Sequence, residues 1–209
     1  MDDLREQSIG RFLDELASGS ATPGGGAAAG LAGAMGAALM SMVANLTIGR
    51  KKYAEYEEEM RRLQARADEI RREMTNLAEQ DAAVFDAVMA AYKLPKETEE
   101  QRATRDAAIQ RALHDATQIP LKTMEQAAEI YELAVPLAEK GNTTAISDVG
   151  AGLLMAEAAL QAALLNVKIN LGLITDEAFA ESVRARVNAL LDGKDELKRT
   201  VISRVEARM

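Results

Sequence analysis

At 209 residues the chain is long enough to bury a substantial core without covalent staples, and its length suits one domain. It has no cysteine, which excludes disulfides, zinc–thiolate sites, iron–sulfur clusters and thiolate nucleophiles. A formal charge of −8, with no Trp, three Phe and four Tyr, argues against nucleic-acid binding, which needs a surplus of cations and stacking platforms.

The opening "MDDLREQSIGRF" carries charges where a secretory signal needs an apolar run, so a cytoplasmic protein is expected. Residues 2–18 read as a first amphipathic helix, broken by "SGSATPGGG". A second helix is expected over 24–48. Its apolarity comes from Gly and Ala, so it reads as a buried helix and not a membrane span. A third runs over 52–92 and stops before "KLPKE", where Pro95 forbids continuation.

Thr98 and Gln101 have the form of a capping box and open a fourth helix. Pro120 should end or kink that helix at Ile119, with a further helix reaching about Lys140 and a glycine stop at Gly141. "SDVGAGLLMAEAALQAALLNVKINLGLI" is one long apolar helix, and Thr175 before Asp176 and Glu177 caps the next. The tail over 194–209 reads as a charged, exposed helix. No period-2 stretch, long linker or internal repeat interrupts this pattern, so the fold class is all-α, a single-domain bundle of long helices.

"GGGAAA" at 24–29 has the letters of a dinucleotide fingerprint, but that motif requires a strand before it and a βαβ unit around it, and neither is present. Gly26, Gly30, Gly33, Ala37 and Ala44 instead share one helix face, where small side chains let another backbone approach. The free N–H groups at the start of this helix also suit an anion or a carbonyl oxygen, so the spacing leaves tight packing and ligand binding both open.

The third helix carries a seam of Tyr56, Met60, Leu63, Ala67, Ile70, Met74, Leu77, Asp81, Val84 and Val88, alternating steps of four and three. Asp81 breaks it. A carboxylate there is either paired by a neighbouring helix or a site group with a shifted pKa. In the apolar helix after Ser147, Glu157, Gln161 and Lys168 form one polar stripe and Asn166 and Asn170 another, which points to a polar ligand or a second subunit. Asp148 reads as an N-cap and His114 as a surface histidine, while Arg50, Lys51 and Lys52 make a local cationic cluster.

"LASGSATPGGGAAAGLAGAMGAALMSMVANLTIGRKKY", "LAEQDAAVFDAVMAAYKLPK", "IPLKTMEQAAEI" and "EKGNTTAISDVGAGLLMAEAALQAALLNVKINL" resemble the C-terminal cyclodeaminase/cyclohydrolase family of formiminotransferase-cyclodeaminases, in order and over nearly the whole chain. The resemblance implies an all-helical homodimer that binds a reduced folate, with no metal and no redox cofactor. One position departs from the family pattern: Ala27 follows Pro-Gly-Gly-Gly where the family usually has Ser.

By resemblance and context, Asp81 and Asp148 are the candidate catalytic carboxylates, with Lys168 beside them. Asn142, Asn166 and Asn170 would orient the pterin. Gly24, Gly25 and Gly26 would supply backbone amides, and Arg50, Lys51, Lys52 and Tyr53 would receive the glutamate carboxylates. The reaction favoured is hydrolysis of 5,10-methenyltetrahydrofolate to 10-formyltetrahydrofolate. A formimidoyltetrahydrofolate cyclodeaminase is the alternative, and Ala27 keeps open a folate-binding protein without activity.

Overall fold

The computed structural model describes residues 6–209; residues 1–5, where the expected first helix begins, lie outside it. The described residues hold no strand. They form α1 (Ile9–Leu16), α2 (Gly25–Thr47), a 3-10 turn (Lys51–Tyr56), α3 (Glu57–Tyr92), α4 (Glu99–Lys140), a second 3-10 turn (Thr143–Ala145), α5 (Ile146–Leu171), α6 (Glu177–Leu191) and α7 (Lys194–Ala207).

α2 sits between α3 and α5, and α4 closes the bundle against α3 and α5. The seam of α3 faces inward, with Met60, Ala67, Ile70, Met74 and Leu77 buried. The small face of α2 lies against it: Gly30 approaches Ala78 and the Met74 carbonyl, and Gly33 approaches Met74 itself. On its other side α2 crosses α5 through a pair of glycines. A Cβ on Gly36 would stand 2.7 Å from the Gly152 carbonyl, and one on Gly152 would stand 3.0 Å from the Gly36 carbonyl, so neither position admits a side chain. Both α2 and the Thr143–Leu171 stretch are long and apolar enough to cross a membrane, and 61% and 50% of those windows are buried inside the bundle.

The bridge from α3 to α4 also includes ion pairs, Arg66 with Glu129 and Lys140 with Glu59. These side chains are about one-third exposed, so each pair contributes roughly 0–1 kcal/mol, against about 1.5–3 kcal/mol for each fully buried Ile or Met. Apolar packing decides the stability.

Several boundaries differ from the sequence reading. The expected break at Ile119 is absent: α4 runs through Pro120 and Pro136 for 42 residues. The carbonyl that Pro120 leaves without its amide belongs to Ala116, and Asn170 donates to it from Nδ2 at 3.1 Å. Gly141 does end α4, but in an extended conformation. What it requires is space, since a Cβ would lie 2.5 Å from the Leu137 carbonyl.

Asp176, not Thr175, caps α6, its Oδ1 accepting from the Phe179 amide, while Thr175 is held by Gln110. Asp148 is not a cap either. α5 begins two residues before it, and Asn142 caps the preceding 3-10 turn. α7 is amphipathic, burying Val201 and Val205 against the bundle, because its apolar positions recur at a four-residue step. His114 is half-buried and stacked on Phe179 at 4.0 Å, with its Nε2 enclosed and unpartnered.

Candidate active site

A cavity of about 360 Å³ opens at the N-terminal end of α2. One end is polar, built by Gly24, Gly25, Gly26, Asp81, Asn166 and Asn170. The rest is an apolar slot between Phe85, Met89 and Tyr92 of α3 and Ile169 and Leu173 of α5, floored by Val88, Leu113, Ala116 and Pro120. Part polar and part apolar, it suits a heterocycle with polar edges carrying a longer arm.

Asp81 stands in this cavity because the α3 seam points it at α2, and because α2 has no side chain there. A Cβ on Gly26 would fall 2.0 Å from Asp81 Oδ1 and 2.6 Å from Oδ2. Burial raises the carboxyl above the ordinary range, and the backbone amide of Ala27, on the first turn of α2, opposes that rise. Among the described residues no Lys, Arg or His lies within ion-pair distance of it, and it is the only Asp, Glu, Lys, Arg or His on the cavity wall. The reading of Asp81 as one half of a helix–helix ion pair is therefore set aside. An unpaired, half-buried carboxylate is placed to face a cationic ligand or to accept a proton.

The two asparagines are held by helix carbonyls. Asn166 Nδ2 donates to Ala162 at 3.0 Å, and Asn170 Nδ2 donates to Ala116. The Ala27 side chain points away from the cavity, into a small cluster with Phe12 and Ala78. Only its backbone reaches Asp81.

The other proposed site residues are elsewhere. α2 and α5 run antiparallel, since Asn142 bonds the end of α2 while Asn166 lies near Gly25. Asp148 and Asn166 are therefore about 27 Å apart along α5 at ~1.5 Å per residue. Arg50, Lys51, Lys52, Tyr53, Asn142 and Asp148 gather at the far end of α2 and do not line the cavity. Asn142 is fully engaged there, donating to the Leu46 carbonyl and accepting from Thr144. Tyr53 is buried beside it, and its pKa is lowered to about 8 by the Thr143 hydroxyl, by the Thr143 amide that donates to its oxygen at 3.1 Å, and by Lys52. Lys168 is exposed on α5 outside the cavity, and Glu157 of the same stripe pairs with Lys198.

The sequence profile of formiminotransferase-cyclodeaminase matches residues 8–189. The chain belongs to that family. Over 97% of its length, and 98% of the relative's, it is 45% identical to a methenyltetrahydrofolate cyclohydrolase from Methylorubrum extorquens. It is 36% identical to the formimidoyltransferase-cyclodeaminase of Rattus norvegicus, matching 98% of this chain but 38% of that one. Among solved structures, a formiminotetrahydrofolate cyclodeaminase from Thermotoga maritima superposes with a TM-score of 0.88 at 31% identity, over 97% of this chain and 98% of that one. The long-helix bundle is thus the fold of this family.

Reading the sequence missed the apolar half of the cavity. Phe85, Met89 and Tyr92 recur at helical spacing just after Asp81 and are each a little over one-third exposed, and that stripe was the available signal.

Proposed function

We propose that this chain is a methenyltetrahydrofolate cyclohydrolase of cytoplasmic one-carbon metabolism. The observation that carries the reading is end-to-end identity of 45% with a protein of that name and nearly the same length. The cavity supports it by holding one unpaired carboxylate beside an apolar slot.

In this reaction water adds to the cationic carbon bridging N5 and N10, losing a proton. The bond from that carbon to N5 then breaks as the added hydroxyl gives up its proton and N5 takes one, and the formyl group stays on N10. Asp81 stabilises the cation and takes the proton from water, and the raised pKa of its carboxyl suits that task. The amides of Gly24–Gly26 face the oxygen that develops on the carbon. The reaction balances without a metal or redox cofactor.

Cyclodeamination is the second reading. The Thermotoga maritima cyclodeaminase is matched over 98% of its chain, so a chain of this size does not by itself argue for the hydrolase. Mixing the protein with 5,10-methenyltetrahydrofolate and following its near-ultraviolet absorbance tests the first. Ammonia release from 5-formiminotetrahydrofolate with no change in that absorbance would replace it with the second.

The reading includes a homodimer. α2 and α5 leave Met35, Met42, Leu46, Leu154 and Leu165 exposed on adjoining faces, and a charge-poor apolar surface of this kind is a natural subunit contact. A two-fold axis perpendicular to these helices would reverse them, turning the basic end of the second copy, with Arg50, Lys51 and Lys52, toward the cavity end of the first. The cationic cluster and Asp148 would then act across the interface.

A further inference from the structure

α4 contains two prolines, and each removes a helix amide and frees the carbonyl four residues earlier. Pro136 frees the carbonyl of Glu132, an exposed residue. Pro120 frees that of Ala116, a buried residue on the cavity wall. The group that bonds it is the Asn170 side-chain amide, reaching across from α5 at 3.1 Å. Thr117 and Thr123 flank the gap with hydroxyls that bond carbonyls of their own helix, so neither competes.

We infer that Pro120 is a positioning residue that fixes Asn170 with its carbonyl oxygen turned toward the ligand. The inference rests on the reduced-folate reading of the cavity and names how the ring is recognised. Asn170 spends a donor on Ala116 and keeps Oδ1 free; Asn166 does the same through Ala162. Beside the remaining N–H of each amide, Asn166 and Asn170 therefore offer the polar end two acceptor oxygens. The ligand edge they fit is rich in N–H donors, as is the 2-amino pyrimidinone edge of a reduced pterin. An alanine at 120 would restore the backbone amide, return the Ala116 carbonyl to α4 and release Asn170. A proline inside a long helix is otherwise unfavourable, so the inference predicts opposite signs for stability and recognition.

Pro120→Ala, Asn170→Ala and the double variant, each in the full chain, test it. In the unliganded protein, solvent exchange of the Asn170 side-chain amide is measured by NMR. Affinity for 5-formyltetrahydrofolate, a stable reduced folate, is measured by calorimetry, and KM and kcat with 5,10-methenyltetrahydrofolate.

Pro120→Ala is expected to raise Tm, speed exchange at Asn170, and raise Kd and KM about tenfold, the size of one lost hydrogen bond. kcat should stay within about twofold, and the double variant should bind no more weakly than Asn170→Ala alone. A protected Asn170 amide in Pro120→Ala, unchanged affinity, or additive losses in the double variant would overturn the inference. If Pro120→Ala does not fold, Asn170→Leu on the native proline decides the affinity question in the same way. A native chain that binds no reduced folate would sink the folate reading instead, while the amide exchange still reports whether Pro120 holds Asn170.

Discussion

Asp81 carries the site, and its environment makes two demands that can be separated. Because burial raises its pKa, the folded state holds this proton to higher pH than the unfolded chain does. The carboxylate therefore destabilises the protein once pH exceeds the unfolded value, and the penalty reaches its full size above the folded one. Asp81→Asn should raise Tm at neutral pH, with the gain shrinking to nothing in acid, and should cost on the order of 10²-fold in kcat. Thermal melts across pH beside initial rates check both; a lower neutral Tm would mean the carboxylate is structural. Gly26→Ala acts on the same group from the other helix. Its methyl would occupy the space of Oδ1, so activity should fall with little change in KM. Ala27→Ser is the contrast. That side chain faces Phe12 and Ala78, so the hydroxyl common at this place in the family should leave the rate within about twofold, a size below that of any lost catalytic contact. A rate changed well beyond that would tie the Ala27 departure to activity.

Among the elements, the helices were legible wherever periodicity and caps agreed. The α3 seam, the Thr98–Gln101 capping box and the glycine face of α2 all stand as read. The misreadings share a cause. Pro120, Asp148 and Thr175 each obey a local rule, and in each case a distant group satisfies the backbone differently: Asn170 for Pro120, Asn142 ahead of Asp148, Gln110 for Thr175. The candidate site was legible as residue types and not as a place, because spacing along α2 and α5 does not show that the helices are antiparallel. Asp81, Asn166 and Asn170 converge, while Asn142 and Tyr53 build the corner between the end of α2 and the start of α5. That corner titrates. With Tyr53 lowered to about 8, the folded state releases this proton before the unfolded chain does, so its contribution to stability grows between about pH 8 and 10 and is lost below. Ultraviolet titration should show one of the four tyrosines ionising near pH 8, and Tyr53→Phe should remove that step.

At the scale of the whole molecule, the two residue clusters stand at opposite ends of a bundle whose central helices keep apolar side chains in solvent. Leu154 is 51% exposed and Leu165 67% exposed, on a helix that otherwise supplies the core. A monomer gains nothing from such a face, and a stable pairing of copies needs roughly 800 Å² of it from each partner. The proposed dimer joins the absence of cations in the cavity to the surplus of them at the far end. Leu154→Glu puts a charge into the proposed contact without touching the cavity. It should leave the protein a monomer in sedimentation at micromolar concentration, where the proposed dimer is expected of the native chain, while leaving the helical circular dichroism intact. If the basic end of one copy serves the cavity of the other, the same variant should lose substrate affinity, and raising its concentration should restore both dimer and affinity together. A monomeric variant with full affinity would confine the site to one chain and leave Arg50, Lys51 and Lys52 as ordinary surface cations.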